Sequence, residues 1–326
     1  MIKTCRRIAL AGVLALCWSG GTAQGRSLDR YRVREVKGPL GIHFVWVPGG
    51  VFLDGTWLVG KTWHGMGTRR LNRPRLLSIK GFWLSTTLVT NQEFLKFARR
   101  PHHDFRAAPS FSLPKNYPLG DNTDLVGGWP SEKFLAQFSR PSLRRWRGAD
   151  LPVTCVSLAD ARAFCRWLSR LAGRKYYVPH IYQLQRAAML GYPRAGHTAL
   201  VAFQRSHNWI AANSGGHPHS VSSKDPDVMG LHDMLGNVTE WTATPVPTYL
   251  DRGILARFHP YLIFGVDYAY KPRLVTDRRW AAAAFTLQPP GAREENLGFR
   301  IACSGAAPPE AATGRAPRQN RKPSSR

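Results

Sequence analysis

The chain has 326 residues, of which 43% are hydrophobic and 11% aromatic. That apolar content is enough for a packed core and excludes a wholly disordered protein. The formal net charge of +26 creates a long-range attraction for anions. Because no nucleic-acid-binding motif accompanies the charge, we expect an anionic small molecule, protein ligand or envelope surface as the partner and disfavour nucleic acid. A basic surface that is merely solvated is the alternative.

The first residues follow the pattern of a secretory signal. Three basic residues open the chain: Lys3, Arg6 and Arg7. The apolar stretch 8–18 follows, too short to span a bilayer, and Gly21-Thr22-Ala23 supplies the small residues of a cleavage site. We therefore predict that 1–23 is a signal peptide and that the protein is exported to the periplasm or cell envelope. Lipidation at Cys17 or an uncleaved anchor is the alternative.

Short strands are predicted where the folded part begins. Residues 42–47 alternate in strand fashion and end at the turn Pro48-Gly49-Gly50, after which 51–53 resume the pattern. Two apolar runs joined by a glycine-rich turn predict a β-hairpin. A second strand region is predicted over 76–84.

Three helices follow from capping signals and apolar periodicity. Thr90-Asn91-Gln92-Glu93 is a capping box that starts the first helix. Ser157 caps the second, which carries Phe164, Trp167, Leu168 and Leu171 on one face and stops at Gly173. A third helix is predicted from Ile181 to Leu190.

The remaining segments set the domain organisation. The stretch of about 101–150 is rich in Pro, Gly, Asp and Asn, which predicts a loop-rich insertion. Residues 304–326 are rich in Ala, Pro, Ser and Arg without periodicity, which predicts a disordered basic tail. Between signal and tail we expect one domain, 41–303. Its short strands, two or three helices and long loops indicate an irregular α+β fold.

Five cysteines limit the possible covalent chemistry. Cys5 and Cys17 lie in the predicted signal, which leaves Cys155, Cys165 and Cys303 in the mature chain. An odd number allows at most one disulfide within the chain. No cysteine spacing indicates zinc, haem or an iron–sulfur cluster. His217, His219 and His232 could bind a metal only if the fold brought them together, and we expect them to be exposed loop histidines.

The segment 230–241 carries a motif that identifies a family. It begins with Gly-Leu, continues through Asp-Met and Gly-Asn-Val, and ends with Glu-Trp at Trp241. Four further matches fall in the same order: 47–52, 89–94, 152–167 and 296–300. Together they resemble the formylglycine-generating enzyme, or sulfatase-modifying factor, family. The resemblance implies an irregular C-type-lectin-like α+β fold.

The same segment is a candidate cation site. Asp233 and Glu240 flank a turn in which the carbonyls of Gly236 and Val238 can point inward. Carboxylate and carbonyl oxygens are the ligands that Ca²⁺ prefers. The resemblance implies a structural calcium ion at these four positions. The alternative is that Asp233 caps a turn and Glu240 pairs with an arginine.

The resemblance also implies roles near the C-terminus. Cys165 and Cys303 occupy places close to a family disulfide, so we expect them to form a bridge. Cys155 is then the odd thiol, more typical of a small buried hydrophobe than of a nucleophile. We expect Phe299 to be buried and the Arg300 guanidinium to bind nearby carbonyls or a carboxylate.

One departure from the family pattern excludes its named reaction. The family enzyme binds copper through two cysteines a short way before the closing strand, and an ungapped count places Asp277 and Ala282 there. These residues cannot supply the soft thiolate ligands of copper(I). We therefore expect no copper and no cysteine-to-formylglycine oxidation. Thr239 also stands where the family motif has tryptophan.

Three functions remain open at this point. The chain could modify a small molecule or peptide in the family's pocket, with candidate catalytic residues Asp267, Asp277, Arg279 and Trp280 supplying acid–base groups and an anion clamp. It could instead be a non-catalytic, calcium-pinned module that binds a ligand or partner. The third possibility is an envelope or secretion accessory protein held by its basic surface.

Overall fold

The computed structural model describes residues 33–54, 75–98, 148–193, 197–246, 259–269 and 285–306. Contacts divide the chain into two units, Met1–Val33 and Arg34–Arg326, and the fold below belongs to the second. The predicted signal peptide, nearly all of the predicted insertion and most of the predicted tail lie outside the described residues.

Strands in the described ranges form three small sheets. They are β1 Glu35–Lys37, β2 His43–Val47, β3 Gly50–Asp54, β4 Arg75–Ile79, β5 Phe82–Ser85, β6 Tyr176–Tyr177, β7 Thr239–Pro245, β8 Tyr261–Phe264, β9 Phe285–Gln288, β10 Leu297–Gly298 and β11 Ala302–Cys303. Their orders are β1-β2-β5-β11-β6, β10-β7-β8-β9 and β3-β4. The β10–β7 pair is parallel and the other pairs are antiparallel.

The predicted hairpin of 42–47 with 51–53 is wrong. Strand β2 pairs with β1 on one side and β5 on the other, so both of its edges are occupied. Strand β3 pairs with β4 in a separate sheet. The connecting turn is held by Arg186, whose Nε donates to the Pro48 carbonyl (3.3 Å) and whose Nη2 donates to the Gly49 carbonyl (3.0 Å). The predicted strand region 76–84 consists of two strands, β4 and β5.

Four α-helices lie in the described ranges. They are α1 Asn91–Ala98, α2 Leu158–Ala172, α3 Ile181–Gly191 and α4 His197–His207. Both predicted helix caps are confirmed: the Thr90 N–H donates to Glu93 Oε2 (2.8 Å), and the Ser157 N–H donates to Asp160 Oδ2 (2.9 Å), which makes the second cap a capping box as well. Helix α2 ends at Gly173, whose φ of 62° is the left-handed conformation that glycine favours. The sequence did not predict α4. None of these helices is both long and apolar enough to cross a membrane.

Aromatic rings from distant parts of the chain form the centre of the core. Phe94 of α1 stacks on Phe164 of α2 with ring centroids 5.7 Å apart, and Phe299 meets both rings edge-on at 6.1 and 5.6 Å. All three side chains are fully buried. Such pairs contribute about 0.5–1.5 kcal/mol each beyond their area burial. The closing segment is thereby fixed against both helices, which places Arg300 beside the turn described next.

Candidate functional site: the signature turn and its loop

The segment Asp233–Glu240, here called the signature turn, is buried and sharply bent. Asp233 and Asn237 have left-handed backbone conformations, with φ of 52° and 65°. Among residues other than glycine, Asp and Asn adopt this conformation most readily. Asp233 and Asn237 therefore suit the bend by their residue type, and their polar side chains can bond to the neighbouring loop.

Three residues of the signature turn hold Trp209. Asp233 Oδ1 accepts a hydrogen bond from the Trp209 N–H (3.3 Å), and the Asn237 N–H donates to the Trp209 carbonyl (2.7 Å). At Gly236, a Cβ would lie 2.8 Å from the Trp209 carbonyl oxygen and 2.7 Å from Asn208 Cβ, closer than real Cβ contacts. Glycine is therefore required by this close approach, and the turn fixes the start of the loop that follows α4.

The same turn holds the loop a second time, at His219. The Asn237 amide accepts from the His219 N–H and donates to the His219 carbonyl, both at 3.0 Å. This pair of bonds imitates the pairing of two strands. Trp209 and His219 are thus brought side by side although ten positions separate them.

The side chains presented by this loop form what we call the aromatic stack: Trp209, His217, His219 and Lys224. The Trp209 and His219 rings are 3.6 Å apart at 12°, and the His217 ring lies 4.4 Å beyond His219. The Lys224 ammonium is 4.3 Å from the centroid of the Trp209 ring. Such a cation–π contact is worth about 0.5–1 kcal/mol at an exposed site.

Hydrogen bonds fix the aromatic stack and solvent reaches it. His219 Nε2 donates to the Ser214 carbonyl (2.8 Å), and the Trp209 indole donates to Ser223 Oγ (2.9 Å). His217 is exposed, while the other three members are half-buried. Partial burial lowers the pKa of His219, and the neighbouring His217 and Lys224 lower it further, which favours the neutral ring. The stack combines flat ring faces with one fixed cation.

Arg300 is the cation of the signature turn. Its side chain is fully buried, and Nε donates to both Glu240 oxygens at 3.1 and 3.2 Å. Nη1 donates to the Ser85 and Thr86 carbonyls, both at 3.0 Å, and Nη2 to the His232 carbonyl at 2.8 Å. The guanidinium therefore binds a carboxylate and three carbonyls, as the sequence predicted. The alternative to a calcium site was that Glu240 pairs with an arginine, and Arg300 is that arginine.

The predicted calcium ligands include two carboxylates that are already bonded to protein groups. Of the four, Asp233, Gly236, Val238 and Glu240, the two carboxylates are engaged separately: Glu240 by Arg300, and Asp233 by the Trp209 N–H and the Asn237 amide. A calcium ion at these positions would share the Glu240 carboxylate with the Arg300 guanidinium. No cluster of three or more His, Cys, Asp or Glu side chains in the described ranges could hold a metal. His232 does not join His217 and His219, because its Nδ1 bonds the Lys224 carbonyl (2.8 Å).

A second polar cluster lies where the closing segment begins. Asp267 Oδ1 accepts from the Ala269 N–H (2.7 Å), and its Oδ2 accepts from the Asn296 amide. Burial raises the pKa of Glu294 to about 7, and the nearby Asp267 carboxylate raises it further against the opposing effect of a Gln288 hydrogen bond. Asp267 is the described member of the predicted catalytic set. The other three, Asp277, Arg279 and Trp280, lie outside the described residues.

The expected Cys165–Cys303 disulfide is not formed. Both residues are buried free thiols, and Cys303 Sγ contacts the Ser304 carbonyl at 3.5 Å. Burial raises the pKa of both thiols, which keeps them protonated at neutral pH. Cys155 is also buried and in no disulfide, as a small core residue would be. Helix α2 and β11 are joined by packing in the same core cluster instead of by a covalent bond.

Comparison with known proteins identifies the class. The family model of the sulfatase-modifying factor enzyme 1-like domain matches residues 34–304, so the chain belongs to this family. It is 27% identical over 306 residues to the mouse protein named "Inactive C-alpha-formylglycine-generating enzyme 2", covering 87% of this chain and 92% of that one. Its fold is similar to that of PvdO from Pseudomonas aeruginosa, with a TM-score of 0.55, 21% identity, and coverage of 83% of this chain and 97% of that one. The predicted family and α+β fold class are confirmed.

Two features of the site were missed from sequence. Glu294 sits in a loop without periodicity, so nothing marked it as a half-buried carboxylate with a raised pKa. Trp209 was not singled out, although Trp209 and Lys224 lie close in sequence to the noted histidines. The spacing of these residues along a loop carries no information about stacking.

Proposed function

We propose that this chain is an exported, non-oxidising member of the family that binds an anionic ligand at the aromatic stack. The observation that carries the proposal is the use of Asp233 and Asn237, which are committed to holding Trp209 and His219. The polar groups of the family motif thereby position an exposed surface.

The cysteines support a function without thiol oxidation. Apart from Cys5 and Cys17, the chain has three cysteines, and each is buried. A thiol must be accessible and ionised to bind copper(I) or to react. Cys165 meets neither condition, because it is buried and its pKa is raised by that burial.

The aromatic stack supports binding of a flat or ring-shaped anion. The His217 ring is exposed to solvent and lies 4.4 Å from the His219 ring, so a ligand can reach the stack from this side. At the other end, Lys224 supplies a positive charge. The net charge of +26 raises the local concentration of any anion around the protein.

The binding test uses a thermal-shift panel of aromatic carboxylates, sugar phosphates and acidic saccharides. We expect at least one class to stabilise the wild type. Binding should be about 2- to 10-fold weaker in His217→Ala, the loss expected for one ring contact. His43→Ala, which removes an exposed histidine elsewhere, is the matched control. Equal responses of the two variants would exclude the aromatic stack as the site.

The oxidase reaction is tested separately. Protein supplied with copper(I) and a cysteine-containing peptide should consume no oxygen above the rate of the protein-free mixture. Sustained, protein-dependent oxygen uptake with loss of the peptide thiol would overturn the non-oxidising assignment and leave the binding measurement unaffected.

Modification of a small molecule or peptide is the second candidate, favoured by one observation. Glu294 has a pKa raised to about 7 beside a second carboxylate, Asp267, and such a group can exchange a proton near neutral pH. Envelope extract would be incubated with wild type or Glu294→Gln and compared by mass spectrometry. A product formed only by the wild type would establish catalysis, and identical profiles would favour binding alone.

Export rests on the N-terminal pattern. In a bacterial host with an outer membrane, we expect the full chain to yield a periplasmic protein whose first residue follows Ala23. N-terminal sequencing of the released protein checks the cleavage site. Retention of the intact N-terminus in the cytoplasm would overturn this part of the proposal.

A further inference from the structure

A row of arginines runs along helix α2, on a surface separate from the aromatic stack. Arg162, Arg166 and Arg170 lie four residues apart, and Arg174 continues the spacing beyond the helix end. In an α-helix, four residues advance about 6 Å and rotate about 40°, so the first three span about 12 Å and 80° of one face. We call these four residues the arginine row.

The middle of the arginine row is uncompensated. Arg166 and Arg170 are exposed, and neither takes part in the ion pairs found in the described ranges. The single acidic residue of α2, Asp160, is bound to Arg293 at 2.5 Å. Like charges four residues apart on a helix repel each other. The row therefore opposes the stability of the helix that carries it.

Three members of the arginine row have a local explanation for their position, whereas Arg166 has none. The Arg162 guanidinium lies 5.0 Å from the centroid of the Tyr261 ring. Arg170 is in the last turn, where the helix dipole favours a cation, and Arg174 Nε donates to the Ser304 carbonyl at 2.9 Å. Arg166, between two like charges, gains neither kind of contact. Its position fits a surface that an external anion completes.

We infer that the arginine row is a docking surface for a linear polymer of phosphate groups. Guanidinium groups bind such tetrahedral anions through two parallel hydrogen bonds, and their regular spacing suits a repeating anion. The exposed part of the row contains no carboxylate, so it presents only positive charge to an anionic polymer. The large net positive charge of the chain favours the encounter.

A lipid bilayer fits the arginine row less well than a polymer. A helix that lies on a bilayer normally inserts apolar side chains from the face that meets the lipid. Leu171 is the exposed large apolar residue of α2, and it points about 100° away from Arg170 around the helix axis. The row thus provides charge along a line without an accompanying apolar anchor.

The test compares two variants that lose the same charge. Arg166→Gln/Arg170→Gln removes two charges from the row, and Lys37→Gln/Lys96→Gln removes two exposed charges elsewhere. Binding of labelled inorganic polyphosphate and labelled heparin would be measured by fluorescence anisotropy between 50 and 200 mM salt. We expect the row variant to bind about tenfold more weakly at low salt. Its log K against log salt should be shallower by about 0.7–0.9 for each lost contact.

Controls separate the arginine row from folding and from the tail. Glutamine is a good helix former, so the row variant should keep the wild-type circular dichroism spectrum. Arg166→Lys/Arg170→Lys keeps the charge and should retain part of the affinity. The chain beyond Ala306 carries five basic residues and one acidic residue: Arg315, Arg318, Arg321, Lys322, Arg326 and Glu310. A chain ending at Ala306 should still bind, and its failure to bind would overturn the inference.

The remaining outcomes each decide the inference. Binding of polyphosphate that requires the row supports the docking surface, whereas binding of heparin without polyphosphate would overturn the phosphate polymer as its occupant. Equal weakening in the row variant and in Lys37→Gln/Lys96→Gln would reduce the effect to net charge and overturn it. Binding to phosphatidylglycerol vesicles that requires the row, with neither polymer bound, would replace the polymer by a membrane. Unchanged aromatic-ligand binding in the row variant keeps this result independent of the proposed function.

Discussion

Arginine is used in two opposite ways in this protein. Arg300 is fully buried and donates to one carboxylate and three backbone carbonyls. Arg166 and Arg170 stand on the exposed face of α2 outside the ion pairs of the described ranges. A buried charge is tolerated only when each of its donors has a hydrogen-bond partner in the protein. An exposed charge is solvated and can exchange water for a ligand. The same side chain therefore stabilises the fold in one region and is available for binding in the other.

Removing the buried arginine should have the largest effect. Arg300→Met leaves Glu240 buried without its partner, which should lower the free energy of unfolding by about 3–5 kcal/mol. Arg166→Met, the matched change on the exposed row, should alter it by no more than about 1 kcal/mol, the repulsion of two like-charge pairs. Urea unfolding measures both. Similar losses in the two variants would erase the distinction between the regions.

A second substitution tests whether the loss comes from the orphaned carboxylate. In Glu240→Gln/Arg300→Met the charge left behind is also removed, so the double variant should be more stable than Arg300→Met alone. A further loss in the double variant would show that Glu240 stabilises the fold independently of Arg300.

The carboxylates near Arg300 that lack its direct contact should give the protein a pH dependence. Burial raises the pKa of Asp227 to about 7, although N–H groups of Leu231 and Met229 and the charge of Arg300 oppose the shift. The folded state then holds a proton that the unfolded chain releases near pH 4. The stability contributed by Asp227 is complete below pH 4 and is lost as pH rises towards 7.

Asp227→Asn isolates this contribution. The difference in unfolding free energy, wild type minus variant, should fall steadily between pH 4 and 7. Urea unfolding at four pH values in this window measures the slope. A difference that stays flat, or rises with pH, would mean that Asp227 is ionised in the folded state.

The repulsion within the arginine row should be small but measurable. Arg166→Gln removes the repulsion of Arg166 with Arg162 and with Arg170. This should raise the free energy of unfolding by about 0.2–0.5 kcal/mol for each pair at low salt. The gain should vanish near 1 M salt, where the screening length is about 3 Å. A gain that persists at high salt would point to helix propensity instead of charge.

The smallest expected effect is that of removing calcium. Because Arg300 binds the Glu240 carboxylate, EDTA should leave the melting temperature unchanged, and added calcium should not raise it. A calcium-dependent increase in melting temperature would restore the cation predicted from the family resemblance and show that Glu240 can leave Arg300.

Local signals predicted the helices well, and long-range pairing escaped them. The helix caps at Thr90 and Ser157 are confirmed, because a cap depends only on two residues three positions apart in the chain. The hairpin after β2 was wrong because its true partner, β5, lies beyond β3 and β4 in the chain. The family motif predicted the signature turn and the contacts of Arg300. Only the fold could show that Glu240 meets that arginine, sixty residues further along the chain.

The position of β11 has a consequence for how the protein is made. This strand, Ala302–Cys303, lies inside the first sheet between β5 and β6, although it is among the last residues of the described chain. Its antiparallel partners have been synthesised long before it leaves the ribosome. The sheet therefore closes only after Cys303 has been synthesised, and until then the edges of β5 and β6 stay open to wrong partners. Under the export proposed above, this late closure would keep the first sheet open while the chain is still being made.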